Sequence, residues 1–205
     1  MERGSEMKFT LDTNCIIDVA EKRSMAVHVL SLLATAKKGA VEVALVASSA
    51  SERQEGDGYL SSLNTFDERR NALGFGNLPL LPSIGRFDIS FFDHCLMGSD
   101  ETIAVEHSIY RALFPNSPPE WTEYAAAKGY EGDDLTSKGY ARWRNQLLDV
   151  QAFWAHRHAG YDVFVTSDKR FRVLEGHNDF PEAVVRNPEE AVKLIEGSAF
   201  SVTGA

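Results

Sequence analysis

The sequence predicts an α/β protein, a three-layer α/β/α arrangement on a mostly parallel central sheet. Three observations carry that expectation. Short apolar or β-branched runs recur at residues 8–12, 41–46, 162–166 and 183–186. Helical stretches with their own start and stop signals separate these runs. The valine-rich run at 41–46 and the three successive apolar residues at 163–165 suit inner parallel strands, covered on both faces.

Taken in order, residues 8–12 read as a buried strand ending in the carboxylate of Asp12. Thr13 and Asn14 can cap the helix that follows, through Ile16, Ile17 and Ala20. Ser24 is the expected cap of a longer helix, with Val29, Leu30 and Leu33 facing the core. Lys37, Lys38 and Gly39 give it a cationic last turn and a stop. After the strand at 41–46, Ser48 and Ser49 are the expected cap of a third helix, with Glu52 in its first turns. Residues 77–81 read as another short strand.

The alternation then lapses. Residues 83–140 hold one clear helix (101–113), a proline-rich turn at Pro115, Pro118 and Pro119, and further loop. This segment reads as a helical insertion against the core, with Phe91, Phe92, Phe114 and Trp121 as its own packing. The expected organisation is one domain over 1–205, with the insertion at about 83–140. Regularity returns with a helix over 137–159, the strand at 162–166 and a short helix opened by Asp168. The last strand, 183–186, precedes a well-capped helix, Asn187-Pro188-Glu189-Glu190 onward, expected to end at Gly197.

Composition bounds the function. With 43% hydrophobic and 25% charged residues the chain is globular in type, not mainly disordered. Its apolar stretches are far too short to span a bilayer, so no membrane partner is expected. The polar segment 1–8 carries no apolar signal region, which predicts a cytoplasmic location. Cys15 and Cys95 are too few for a disulfide framework or a zinc site, and read as buried, reduced thiols. A formal net charge of -9 argues against a protein that grips nucleic acid mainly by phosphate neutralisation. It leaves room for an acidic cluster that holds cations, and for a basic protein partner.

The spacing allows such a cluster, although by spacing alone Asp12 equally suits a plain helix cap, and Glu52 and Asp149 solvated helical acids. Ligands of a parallel α/β sheet sit at the carboxyl ends of its strands. Asp12 ends the first strand, Asp168 lies just beyond the strand at 162–166, and Glu52 follows the second strand. Asp149 is 19 residues before Asp168 (168 − 149), enough for a helix to run back along the sheet and a strand to return. Carboxylates gathered within a few Å repel unless a cation lies among them, and hard oxygen donors select Mg²⁺ or Mn²⁺.

At these residues the chain resembles PIN-domain nucleases. Leu11-Asp12-Thr13-Asn14-Cys15-Ile16-Ile17-Asp18 resembles their opening strand and turn. Val163-Phe164-Val165-Thr166-Ser167-Asp168-Lys169-Arg170-Phe171 resembles their late strand, and Leu148-Asp149-Val150 the helix bearing the third acid. Val184 to Glu190 is similar to the closing strand and helix. The resemblance implies a metal-dependent endoribonuclease with Asp12, Asp149 and Asp168 as metal ligands, joined by Glu52, with Glu55 and Asp57 as alternatives for that second acid. It further implies that Asn14 and Thr166 hydrogen-bond the ligand carboxylates or water. RNA is the implied substrate, and an antitoxin or other inhibitory protein, or a second copy of the chain, the implied protein partner. The chain departs from compact members of the family by its insertion.

Other residues admit plainer roles. Asp18 reads as a surface acid. His156 and His158, two residues apart on a helix, point to nearly opposite sides and cannot share one ion; His156, two turns from Asp149 on the same face, reads as a surface histidine rather than a substrate contact. Lys169 and Arg170 can hold phosphate or remain solvated. Trp143, between Arg142 and Arg144, reads as a buried tryptophan with exposed neighbours rather than a base-stacking platform. Two other functions compete: a DNA or flap nuclease on the same site, and a non-catalytic PIN-like module that binds protein. A haloacid-dehalogenase-type phosphatase also begins with a strand and an aspartate, but Asn14 stands where its second aspartate is needed.

Overall fold

The computed structural model describes residues 6–52 and 63–202. Five parallel strands form the central sheet: β1 (Lys8–Leu11), β2 (Glu42–Val46), β3 (Leu80–Leu81), β6 (Val163–Val165) and β7 (Val185–Arg186), in the order β3-β2-β1-β6-β7. A second, two-stranded parallel pair, β4 (Ser83–Ile84) with β5 (Cys95–Leu96), lies within the inserted segment. Strand β1 is central, with Phe9 paired to Val43 on one side and Val163 on the other.

Alternation along the strands builds two cores. Phe9, Leu11, Val43, Leu45, Val163 and Val165 meet helices α1 (Thr13–Ala20), α2 (Ala26–Lys37) and α7 (Pro188–Val202). Ala44, Val46 and Phe164 point the other way, toward α4 (Asp100–Leu113), α5 (Trp121–Lys128) and α6 (Lys138–His158). A buried sheet between two helical layers follows from this two-residue period. Helix α3 (Leu63–Ala72) adds Phe66 to the first core.

The helix starts follow from local chemistry. Ser137 Oγ accepts from Tyr140 N at 3.1 Å and starts α6. Asn187 and Glu190 cap α7 reciprocally, at 2.9 and 2.8 Å. Each such cap contributes about 1 kcal/mol. Helix α7 continues past Gly197, because one glycine costs about 1 kcal/mol and does not by itself stop a helix.

Several local expectations are corrected. Asp12, not Thr13 or Asn14, caps α1. Met25 rather than Ser24 occupies the N-cap of α2. Its buried stripe is Val29, Leu32 and Leu33, spaced i, i+3, i+4; Leu30 falls off that arc and is 47% exposed. No third helix contains Glu52; a 3₁₀ turn, Ala47–Ser51, carries it as the C-cap. Cys15 is buried, whereas Cys95 is only half-buried. The inserted segment holds a second helix, α5; Phe114 and Trp121 join the α6 core, Trp121 packing on Tyr140 at 5.2 Å and on Trp143 at 6.0 Å, whereas Phe91 packs against the core on the other face of the sheet. The buried Glu106 pairs with Arg86 and accepts from Gln151 Nε2 at 3.1 Å, tying that segment to α6. Among the described residues, no helix is long and apolar enough to cross a membrane.

His156 is not at the surface. It is 4% exposed, its Nδ1 lies 2.9 Å from Thr10 Oγ1, and its ring lies between Phe153 and Phe164. Burial lowers its pKa to about 4, so the ring is neutral at pH 7. Unfolded, it titrates near 6.5. Its contribution to stability is therefore full above about 6.5 and is lost as pH falls toward about 4, a loss of about 3 kcal/mol at most. Denaturant melts across that window are expected to show a steeper loss for the wild type than for His156→Gln. Parallel curves would exonerate His156.

Candidate metal centre

The sheet reverses direction of winding between β1 and β6: from β1 the chain builds outward to β2 and β3, and from β6 outward to β7. Ligand crevices form at the carboxyl edge of such a switch point. Four acids from four segments line one cavity of about 240 Å³ there: Asp12, Glu52, Asp149 and Asp168. Asn14, Asn145 and Arg170 complete its wall.

Asp12 follows β1 and is 2% exposed. Its Oδ1 accepts from Thr13 N at 2.8 Å, its Oδ2 from Asn14 Nδ2 at 2.9 Å and Thr166 Oγ1 at 2.7 Å. Thr166 Oγ1 also accepts from Asp168 N at 3.0 Å, so one hydroxyl locks two of the acids to the end of β6. Asp168 caps the 3₁₀ turn Lys169–Leu174, accepting from Arg170 N at 2.8 Å. Asp149 projects from α6. Glu52 reaches the cavity because the turn Ala47–Ser51 is pinned: Arg144 Nη2 donates to Ser51 O at 3.0 Å, and Thr13 Oγ1, 2.7 Å from Ser49 Oγ, bonds Glu52 Oε1. Glu55 and Asp57 lie outside the described residues.

Burial raises the Asp12 pKa, against the three hydrogen bonds that favour its anion. Burial, then the charge of Asp12, pushes Glu52 well up. Burial, with Asp12 adding to it, takes Asp149 to about 8. Three neighbouring acids resist ionising together, because burial disfavours each anion and each charge raises the cost of the next.

Arg170 supplies part of that compensation. Its guanidinium holds Asp168 through Nε at 3.1 Å and Nη2 at 2.6 Å, stands 3.5 Å from Asp149, and lies 5.3 Å above the Phe114 ring. Among the described residues, no three His, Cys, Asp or Glu side chains are grouped so as to hold a metal ion. The donor chemistry nevertheless fits a hard divalent cation: all four acids are oxygen donors, and three of them are held above their ordinary pKa.

Sequence reasoning missed several supporting residues. Asp18 is 3% exposed and accepts from Ser167 Oγ at 2.7 Å, bracing α1 against the turn that presents Asp168. Arg144 is buried, not exposed, and Trp143 donates from its indole to Pro119 O at 2.9 Å. Asn145 faces the cavity one helical turn before Asp149, a spacing the sequence does show. Lys169 is exposed and is not part of the cavity wall. Compared with protein-family models, curated proteins and solved structures, the chain matches none.

Proposed function

We propose that this chain is a PIN-like, Mg²⁺- or Mn²⁺-dependent endoribonuclease. The convergence of Asp12, Glu52, Asp149 and Asp168 on one cavity at the switch point of the sheet carries this reading. These four acids would hold the ion. A divalent ion there would supply Lewis-acid activation of water and neutralise charge on the phosphodiester. The chain's own residues do the positioning. Asn14 and Thr166 fix the Asp12 carboxylate, and Thr166 fixes the backbone of Asp168. Arg170, by exchanging its hold on a carboxylate for a phosphate of similar geometry, would contact the substrate. A covering inhibitory protein such as an antitoxin would compete for the same cavity, and a second copy of the chain remains a candidate partner.

The placement of Arg170 inside the nest favours a second reading, a non-catalytic module whose acids are neutralised internally. Incubating the purified chain with mixed single-stranded RNA in Mn²⁺, Mg²⁺ or EDTA separates the two. Metal-dependent cleavage that disappears in Asp12→Asn and Asp168→Asn supports the nuclease. Cleavage of DNA alone moves the substrate to the DNA or flap reading. Inertness in every metal, together with no Mn²⁺ binding, sinks the enzyme and leaves the module.

A further inference from the structure

We propose that the N-terminal half of α6 is a track for the sugar–phosphate backbone of a single-stranded nucleic acid, gripped by Lys138 and Arg142 on its way to the carboxylate cavity. The inference deepens the nuclease reading and rests on it for the class of ligand.

A groove of about 630 Å³ runs beside α6, lined among others by Ser137, Lys138, Arg142 and Gln146. It shares Asn145, Asp149 and Arg170 with the carboxylate cavity, so the two are adjoining parts of one depression. Lys138, Arg142, Asn145 and Asp149 are four, three and four residues apart, which aligns them along one helix face. By helical rise, Arg142 stands about 10 Å and Lys138 about 16 Å before Asp149.

The charge pattern gives this stripe a direction. In a chain of formal charge -9, some cations, such as Arg23, Arg157, Arg172 and Lys193, are ion-paired, and others, such as Lys37, Lys38 and Lys128, stand exposed elsewhere on the surface. Lys138 and Arg142 are exposed and make no hydrogen bond or ion pair with the described residues. At the far end, Asp134 is occupied by Thr136, accepting from its N at 3.0 Å and its Oγ1 at 2.7 Å. Cations therefore precede the acidic cavity, separated from it by the amide of Asn145. Phosphates are held by the former, and amide or hydroxyl groups of Asn145, Gln146 and Ser137 can meet the sugars. What sets Lys138 and Arg142 apart from the exposed cations Lys37, Lys38 and Lys128 is that they line a groove opening into the carboxylate cavity.

The test measures fluorescence anisotropy of a labelled 12-nucleotide single-stranded RNA, and of the matching DNA, with the full chain in EDTA over a range of NaCl. Lys138→Ala/Arg142→Ala is compared with Lys37→Ala/Lys38→Ala, which removes the same charge from α2 on the opposite layer. The expected result is a loss of about tenfold in affinity for the track variant alone. Its slope of log K against log salt should fall by about 1.4, that is, two phosphates at 0.7 each. RNA and DNA should lose in parallel, since the contacts are to phosphate. Equal losses in both variants, or no binding by the wild type, overturn the track. The two proposals fail separately: a salt slope carried by Lys138 and Arg142 in a chain that never cleaves keeps the track and drops the nuclease. Metal-dependent cleavage with KM and affinity unchanged in the track variant does the reverse.

Discussion

Asp12→Asn is expected to abolish Mn²⁺-dependent RNA cleavage, by about 10³-fold or more, with the fold intact. Removing a residue that merely orients a metal ligand typically costs 10- to 100-fold, and Asp12 is proposed as a ligand itself, so the loss should exceed that range. The fold survives because the side chain's structural work is that of an N-cap, which asparagine performs as well as aspartate. The retained amide oxygen still accepts from Thr13 N, and the new amide can donate to Thr166 Oγ1 and to Asn14 once the Asn14 amide turns its oxygen toward it. Thermal stability should therefore lie within about 1 kcal/mol of wild type. Cleavage that persists undiminished in a folded Asp12→Asn chain would remove this acid from the chemistry.

Asp149→Asn separates stability from function with opposite signs. Burial and the charge of Asp12 hold Asp149 near a pKa of about 8, while an unfolded aspartate titrates near 3.8. The folded state thus binds the extra proton, and its stability relative to the unfolded chain is full below about 3.8 and declines as pH rises toward about 8. Asparagine removes that penalty and forgoes the pairing with Arg170 at 3.5 Å. The side chain keeps 25% of its surface in water, which screens both contributions. A net gain of about 1–2 kcal/mol is expected near pH 8 without metal, about 3–6 °C in Tm. Added Mn²⁺ should raise the wild-type Tm, by about 2.7 kcal/mol of stability at a hundredfold excess over Kd, and the variant's much less. A metal-free Tm that falls in Asp149→Asn, with an undiminished Mn²⁺ increment, would contradict the crowded-carboxylate picture.

What the sequence made legible was whatever depends on neighbours in the chain. Asp12 and Asp168 follow strands, and their supporting Asn14 and Thr166 are two residues away, so motif and geometry coincide. The parallel sheet and its helical layers were readable from the run lengths. Glu52 was not decidable against Glu55 and Asp57, because its position depends on Arg144, 93 residues from Ser51. His156 looked like a surface group because its partner, Thr10, is 146 residues away. Asp18 was misread for the same reason, its partner Ser167 being 149 residues distant. Arg170 was half legible: its hold on Asp168 is local, whereas its approach to Asp149 and Phe114 exists only once α6 and the inserted segment have docked.

Calorimetric titration of Mn²⁺ into the metal-free wild type and into Asp12→Asn tests the central claim, that these four acids form a divalent-cation site, without needing a substrate. Saturable binding by the wild type that is lost or weakened at least about tenfold in Asp12→Asn is the expected result. No heat of binding in the wild type, or the same isotherm in both proteins, would contradict it and leave Arg170 as the permanent counter-ion of the nest.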